Sequence, residues 1–339
     1  MLKYPNLNVY FITNNMVEVE RLKNTVVDVH YFIDIRSIPL FLRTNAYVTS
    51  HGTWCIPFVG VIHKFLPFFK WKHGTKWIDV WHGLGWVHTE RGKMLRDYDL
   101  AFDTSEFFRE YDSEGDEFIA QKIKITGYPR NDPLIDGRWS RKTIENELGI
   151  PSDQKTVLYA PTWGHKYKKS VFPWKETISF LDKVEKFCDK NNCVFLIRMH
   201  PNWYRQNIKE KELLEEEIKQ AKRIFHLAPY KYIDVQPLLY ISDVLITDWS
   251  SIANDFILLK RPIIFLETQF PVEKFVLNPK DRAGYIVKDK EEFFETLRES
   301  IINPNLFDER RIKLMKKLFK FVNANASKEC INEIIRIIQ

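Results

Sequence analysis

An α/β fold of parallel sheets, doubly wound with helices on both faces, is predicted by three features of the sequence. Short runs rich in Val, Ile, Leu and Phe recur along the chain and alternate with segments of helical spacing. Most of these runs are apolar at successive positions, the pattern of strands buried on both faces. The chain has 339 residues, room for two domains of roughly 100–200 residues each.

The elements read in order along the chain. In the first half the candidate strands are NVYFIT (8–13), VHYFI (29–33), AYVTS (46–50), WIDVW (77–81) and LAFDT (100–104). GYPRNDPLIDG (127–137) is rich in turn formers and predicts a boundary. Beyond it the rhythm sharpens. TVLYA (156–160) predicts a strand, and residues 175–190 a helix with Ile178, Leu181, Val184 and Phe187 on one face. CVFLIRM (193–199) is the next strand, followed by a charged helix over 206–222 and a strand at RIFHL (223–227). A short helix at VQPLLYI (235–241), a strand at DVLIT (243–247), a helix at IANDFILL (252–259) and a strand at PIIFL (262–266) complete the pattern. Two helices follow, near 308–321 and 326–338. The expected domains are 1–137 and 138–315, with 316–339 packing back on the first.

Composition narrows the classes. Hydrophobic residues make up 45% and charged residues 28%, a globular balance that excludes a disordered chain. The formal net charge of +6 favours anionic partners, although it also serves plain solubility. Cys55, Cys188, Cys193 and Cys330 form no C-x-x-C pair and are too few for a disulfide scaffold, which fits a reducing compartment. The N-terminus has no apolar core followed by a small-residue cleavage site, and no stretch reaches about 18 uninterrupted apolar residues. A cytoplasmic location is therefore expected. IPFVGVIHKFLPFFKWKHGTKW (56–77) sets large rings beside His63, Lys64, Lys70, Lys72, His73 and Lys76. That combination suits an anionic membrane surface; a core helix with a basic solvated face has the same composition.

Four motifs carry candidate chemistry. TDWSSIANDF (247–256) closes a strand and opens a helix, so Asp248, Ser250 and Ser251 stand where side-chain oxygens cap a first turn. The same place is a ready anion site. RMHPN (198–202) also leaves a strand. Arg198 can grip a phosphate with paired hydrogen bonds, and His200 can donate to a phosphate oxygen or move a proton. YAPTW (159–163) adds Thr162 as a donor and Trp163 as a surface for a base or sugar. Each of these alone also reads as a cap, a structural histidine or a core aromatic. Together they place phosphate-competent residues on three strand ends, which share one edge in a doubly wound sheet. VWHGLG (80–85) offers His82 on a glycine turn as a general base, with His88, Glu90 and Arg91 nearby.

Neither G-x-G-x-x-G nor a P-loop is present, and there is no D-x-D pair for a metal on a nucleotide diphosphate. No metal and no cofactor are expected; basic residues, hydroxyls and helix N-termini meet the phosphate charge.

WHG (81–83), SEFFREY (105–111) leading to TGYPRND (126–132), YAPTW, RMHPN and ISDVLITDWSSIANDFILLKRPIIF (241–265) occur in this order. Over residues 75–270 the chain resembles the CDP-glycerol glycerophosphotransferase family of teichoic acid primases and polymerases. The resemblance implies a GT-B architecture, two Rossmann-like domains facing a central cleft. It implies that the second domain holds a CDP-glycerol or related CDP-polyol donor through Arg198, His200, Asp248, Ser250, Ser251 and Thr162. His82 is then the catalytic base, with Gly83 and Arg130 in the acceptor or cleft loop. The implied reaction transfers a polyol phosphate to a hydroxyl of a lipid-linked or polymeric acceptor, at the inner face of the membrane, with release of CMP. No nucleic-acid partner is implied. A sugar transferase of the same fold, or a ribitol phosphate transferase, is the alternative. LGWVHTERG stands where the family often has T-P-L-K-K after W-H-G, which leaves the acceptor and the polyol open. The long N-terminal region of the larger polymerases is not seen, so a stand-alone catalytic unit is expected.

Overall fold

The computed structural model describes residues 7–13, 15–23, 28–31, 38–52, 75–86, 89–162, 172, 174, 177–230, 232, 234–267 and 275–339. It has the α/β fold with parallel sheets that the sequence predicts. The chain forms two compact units. One comprises Met1–His82, Lys93–Ala101 and Ile331–Gln339; the other comprises Gly83–Gly92 and Phe102–Cys330. Most of the aromatic and basic stretch 56–77, together with Trp163 and His88, lies outside the described residues.

The first unit contains short parallel strands. β1 (Tyr10–Thr13) pairs with β2 (Asp28–Tyr31). β3 (Ala46–Thr49) pairs with β4 (Lys76–Asp79), and β4 pairs with β5 (Leu100–Asp103). All five lie within the candidate strands of the sequence or one residue outside them, because β-branched and aromatic residues cluster there. Ile78, Leu100 and Ala101 are buried at the centre. Trp77 packs its ring against Tyr47 and edge-on to Tyr98, and the Tyr98 hydroxyl meets Thr49 Oγ1 at 2.7 Å. Register Thr49↔Asp79 brings the carboxyl ends of β3 and β4 level.

The second unit is built on six parallel strands. β6 (Ile123–Ile125) precedes these six in the chain. β7 (Lys155–Tyr159), β8 (Cys193–Ile197), β9 (Ile224–His226), β10 (Val244–Thr247), β11 (Ile263–Leu266) and β12 (Tyr285–Val287) form the large sheet. Its order is β12-β11-β10-β7-β8-β9. Every residue of β8, β10 and β11 is buried. That explains their unbroken apolar sequences, since helices cover both faces. The helix Thr177–Lys190 places Leu181, Val184 and Cys188 in the same cluster as Val157, Tyr159, Phe195 and Ile197. Burying each such side chain contributes about 1.5–3 kcal/mol.

β6 and β12, three residues each, are absent from the candidate strands of the sequence. Gly284 leads into β12 because a Cβ there would lie 1.9 Å from the Ile263 carbonyl oxygen. The turn-rich segment 127–137 is packed rather than loose. It forms a 3-10 turn over Pro129–Asn131 and a helix over Asp132–Ile135, with Tyr128, Asn131 and Leu134 buried. The Asp132 carboxylate accepts from the N–H groups of Ala326 and Ser327, and so caps the helix Ala326–Ile338. No helix among the described residues is long and apolar enough to cross a membrane.

Candidate active-site residues

The strand order of the large sheet singles out one place. From β7 the chain winds outward through β8 and β9, then returns to the other side of β7 with β10 and continues outward through β11 and β12. The carboxyl ends of β7 and β10 therefore flank the topological switch point, where open α/β sheets hold their ligands. Thr162 follows β7 and Asp248 follows β10. Asp248 is fully buried, and its Oδ1 accepts from Thr162 N–H at 3.0 Å and from Ser250 N–H at 3.1 Å. One carboxylate thus ties the two strand ends together. The Thr247 hydroxyl adds a bond to the Ala160 carbonyl at 2.7 Å.

This arrangement corrects the expected capping. The helix does begin at Ile252, but Ser251 at its N-cap makes no side-chain capping bond. Asp248 alone, of the three oxygens expected to cap, turns to the backbone, one turn earlier. The Thr162 hydroxyl is buried and has no hydrogen-bond partner among the described residues. A buried orphan hydroxyl is uncommon in folded proteins and is the kind of group a ligand satisfies.

β8 is the neighbour of β7 on the other side, and it delivers Arg198 and His200. His200 is the N-cap of the helix Pro201–Gln206, and its Nδ1 accepts from Asn202 N–H at 3.1 Å. A backbone N–H can only donate, so Nδ1 carries the lone pair and Nε2 carries the proton. Burial, with Arg198 and Arg205 nearby, lowers the His200 pKa to about 4. It is a neutral hydrogen-bond donor near pH 7. Arg198 is 6% exposed, and burial lowers its pKa to about 10. Its Nη1 donates to the carbonyls of Leu227 and Tyr232. The guanidinium that the sequence offers to a phosphate is spent, in part, on bracing the chain after β9.

Arg130 comes from the packed segment after β6. It forms an ion pair with Asp255 on the helix Ile252–Phe256, whose carboxyl pKa is raised by burial. Gly83 lies against the same groups. A Cβ there would meet Arg130 Nη1 at 3.0 Å and Ser251 Oγ at 3.6 Å, and the φ of +147° is one that glycine alone adopts readily. Asn254, on the same helix, donates to the Leu84 carbonyl at 2.8 Å. The residues just after the W-H-G histidine are thereby fixed to the helix that begins beside Ser251. Arg91, expected as a polar group of this loop, is instead buried between Asp103 and Asp112.

His82 belongs to the first unit. Asp79, at the end of β4, accepts from Trp81 N–H at 3.2 Å and holds a turn in which Trp81 has φ of +44°. The turn leaves His82 exposed. Its Nδ1 lies 2.9 Å from the Ser50 carbonyl. A carbonyl can only accept, so Nδ1 carries the proton and Nε2 keeps the lone pair, the state a general base needs. The ring of His51 is stacked on His82 at 4.3 Å, with 9° between the planes. Ser50, His51 and Asp79 were not singled out from sequence. Asp79 two residues before Trp81 is a signal for an Asx turn; Ser50 and His51 lie 32 and 31 positions from His82, and the one local signal is that His51, like His82, follows a strand and precedes a glycine.

Among the described residues, no group of three or more His, Cys, Asp or Glu could hold a metal ion.

Residues 2–336 match the family model described as CDP-Glycerol:Poly(glycerophosphate) glycerophosphotransferase. The chain is similar to the teichoic acid ribitol-phosphate polymerase TarL of Staphylococcus aureus (strain NCTC 8325 / PS 47), 25% identical over 92% of this chain and 55% of that protein. It is also similar to the teichoic acid glycerol-phosphate transferase of the same strain, 28% identical over 63% of this chain and 54% of that protein. The chain spans a little over half the length of these two curated relatives. Among solved structures, the wall teichoic acid polymerase TagF superposes with a TM-score of 0.75 at 22% identity, over 99% of this chain and 82% of that one.

Proposed function

We propose a function for a chain that belongs to the CDP-glycerol:poly(glycerophosphate) glycerophosphotransferase family: it transfers a polyol phosphate from a CDP-linked donor to a hydroxyl of a polyol-phosphate polymer or its lipid-linked precursor. The observation that supports this most is the switch point. Thr162, Asp248, Ser250 and Ser251 leave the two strands that flank it, and His200 leaves the next strand. That edge is where a doubly wound sheet takes a nucleotide.

In this reading the donor pyrophosphate accepts from the Thr162, Ser250 and Ser251 hydroxyls and from His200 Nε2–H. Arg198 contributes its charge from behind, and Asp248 and Arg130 hold the frame. His82 Nε2 removes the proton of the acceptor hydroxyl. The acceptor oxygen attacks the distal phosphorus; the bond from that phosphorus to the bridging oxygen breaks, and CMP leaves with the electron pair. Positioning and charge stabilisation supply most of the acceleration in phosphoryl transfer. The segment 1–137 would then carry the acceptor side and 138–315 the donor side, with an anionic membrane surface near the basic and aromatic stretch 56–77.

The relatives include both a ribitol-phosphate polymerase and a glycerol-phosphate transferase, so the polyol is a matter for experiment. Purified protein is incubated with CDP-glycerol or CDP-ribitol and a polyol-phosphate acceptor, in the presence of EDTA. Release of CMP with a new phosphodiester supports the reading and identifies the polyol. A glycosidic product from a nucleotide-sugar, or no CMP from either donor, overturns it. Activity that returns only with Mg²⁺ overturns the metal-free version.

A further inference from the structure

We propose that His51 is a positioning residue for His82, and that Ser50 holds both rings. The proposal rests on the reading of His82 as the base.

β3 and β4 are adjacent and parallel, with Thr49 level with Asp79. The Val80 N–H donates to the Thr49 carbonyl at 2.8 Å, so the pairing continues to the last residue before the two turns. Ser50–His51 and Trp81–His82 therefore emerge side by side from one sheet edge. Ser50 serves both rings with different atoms. Its carbonyl oxygen accepts from His82 Nδ1 at 2.9 Å, and its hydroxyl bonds His51 Nδ1 at 2.7 Å. The two rings lie nearly parallel with centroids 4.3 Å apart. Trp81 adds a ring 4.1 Å from His82, tilted by 46°.

A hydrogen bond at Nδ1 does not by itself fix the plane of an exposed ring. A ring stacked on its face removes that freedom, and the Ser50 bond to His51 keeps the stacked ring from drifting. Nε2 of His82 is then left pointing in one direction. When His82 takes up a proton its ring becomes a cation, and the face of a neutral ring is a favourable neighbour for it. His51 needs to form no bond to substrate and to transfer no proton.

The test uses the full chain with the donor that releases CMP, and the variants His51→Ala, His51→Phe and His82→Ala. His51→Ala is expected to lower kcat about tenfold, given that misplacing a reacting group by 1 Å costs on the order of 100-fold. The donor KM stays unchanged. His51→Phe, which restores a flat ring without nitrogen atoms, recovers kcat to within about threefold of the parent, as stacking alone requires. If His51→Ala matches the parent while His82→Ala is inactive, the positioning role is wrong and the base assignment stands. If His51→Phe is as poor as His51→Ala, His51 acts through its nitrogens and the proposal fails. If His82→Ala keeps its activity, the reading of the base fails first. A readout independent of turnover is the ¹⁵N spectrum of histidine-labelled protein. The ring signals of His82 are expected to be narrow in the parent and in His51→Phe and broadened by ring motion in His51→Ala, while the Ser50 carbonyl keeps the Nδ1–H tautomer in all three. An unchanged spectrum in His51→Ala overturns the proposal even where no donor is turned over.

Discussion

His82 and His200 both stand just beyond the carboxyl end of a parallel strand, yet their surroundings prepare them for opposite work. His82 gives its Nδ1 proton to the Ser50 carbonyl and keeps a lone pair on Nε2. His200 accepts the Asn202 N–H on Nδ1 and keeps its proton on Nε2. The first is exposed and set to receive a proton; the second is half-buried among arginines, stays neutral and can only donate from Nε2. One backbone partner decides each case: a carbonyl makes a base of the far nitrogen, and an amide makes a donor of it.

The largest expected effect breaks this comparison if it fails. His82→Ala should lower kcat by about 10²–10⁴-fold, the range of general base catalysis, with CDP affinity unchanged. His200→Ala should mainly weaken donor binding, by about 10–150-fold for a lost hydrogen bond to a charged phosphate worth roughly 1.5–3 kcal/mol. Turnover measured against donor titration, with CDP binding by calorimetry, separates the two. If His200→Ala loses turnover at saturating donor while His82→Ala loses affinity, the roles are reversed.

The sequence shows the strands well and the roles of the nitrogens not at all. TVLYA, CVFLI and DVLIT are apolar because both faces of β7, β8 and β10 are covered, and that is a local property. The strand order that brings Thr162 beside Asp248 is not local, since the two lie 86 positions apart. Nor is the fate of Arg198, whose carbonyl partners lie 29 and 34 positions later. Ser250 and Ser251 read as caps because serine is a common cap; Asp248 takes the backbone instead because its carboxylate reaches two amides at once. His51 shares with His82 a place after a strand and before a glycine, but the pairing of β3 with β4 that brings the two rings together is not local.

A second prediction sharpens the contrast in how the two clusters are held. The Thr162 and Ser250 amides share one buried acceptor, whereas His82 Nδ1 meets a main-chain carbonyl that no substitution removes. Asp248→Ala leaves the Thr162 and Ser250 amides without their acceptor in a fully buried place. It is expected to cost about 3 kcal/mol of stability, at roughly 1.5–3 kcal/mol for each bond to a charged group, and to weaken CDP binding as well. Asp248→Asn keeps an Oδ1 acceptor and should recover about half of that loss. Denaturant midpoints followed by tryptophan fluorescence measure it. An Asp248→Ala protein as stable as the parent would mean that the two strand ends do not depend on this carboxylate.

The smallest effect concerns pH. The free histidine pKa is about 6.5, and burial beside Arg198 and Arg205 lowers that of His200 to about 4. Between those values the unfolded chain binds a proton that the folded chain does not. His200 therefore leaves stability at its full value above about pH 6.5 and lowers it as the pH falls towards 4. The shift corresponds to about 3 kcal/mol, and partial solvent exposure trims this to about 2 kcal/mol. Asp103 acts the other way: burial raises its pKa from 3.8 to about 7, so it adds stability as the pH falls across the whole of this window. A single melting curve mixes the two, and the difference between the parent and His200→Asn isolates the histidine. Asparagine keeps an acceptor for the Asn202 N–H and is a good N-cap, so the helix Pro201–Gln206 is not lost. The parent should lose about 2 kcal/mol relative to His200→Asn between pH 6.5 and 4. CDP affinity of the parent, by contrast, should show no titration from His200 between pH 5.5 and 8, because Nε2–H persists throughout. Parallel stability curves for the two proteins, or a donor affinity that titrates near pH 6.5 in the parent and not in His200→Asn, would show that His200 is charged in the folded protein and would remove the distinction between the two histidines.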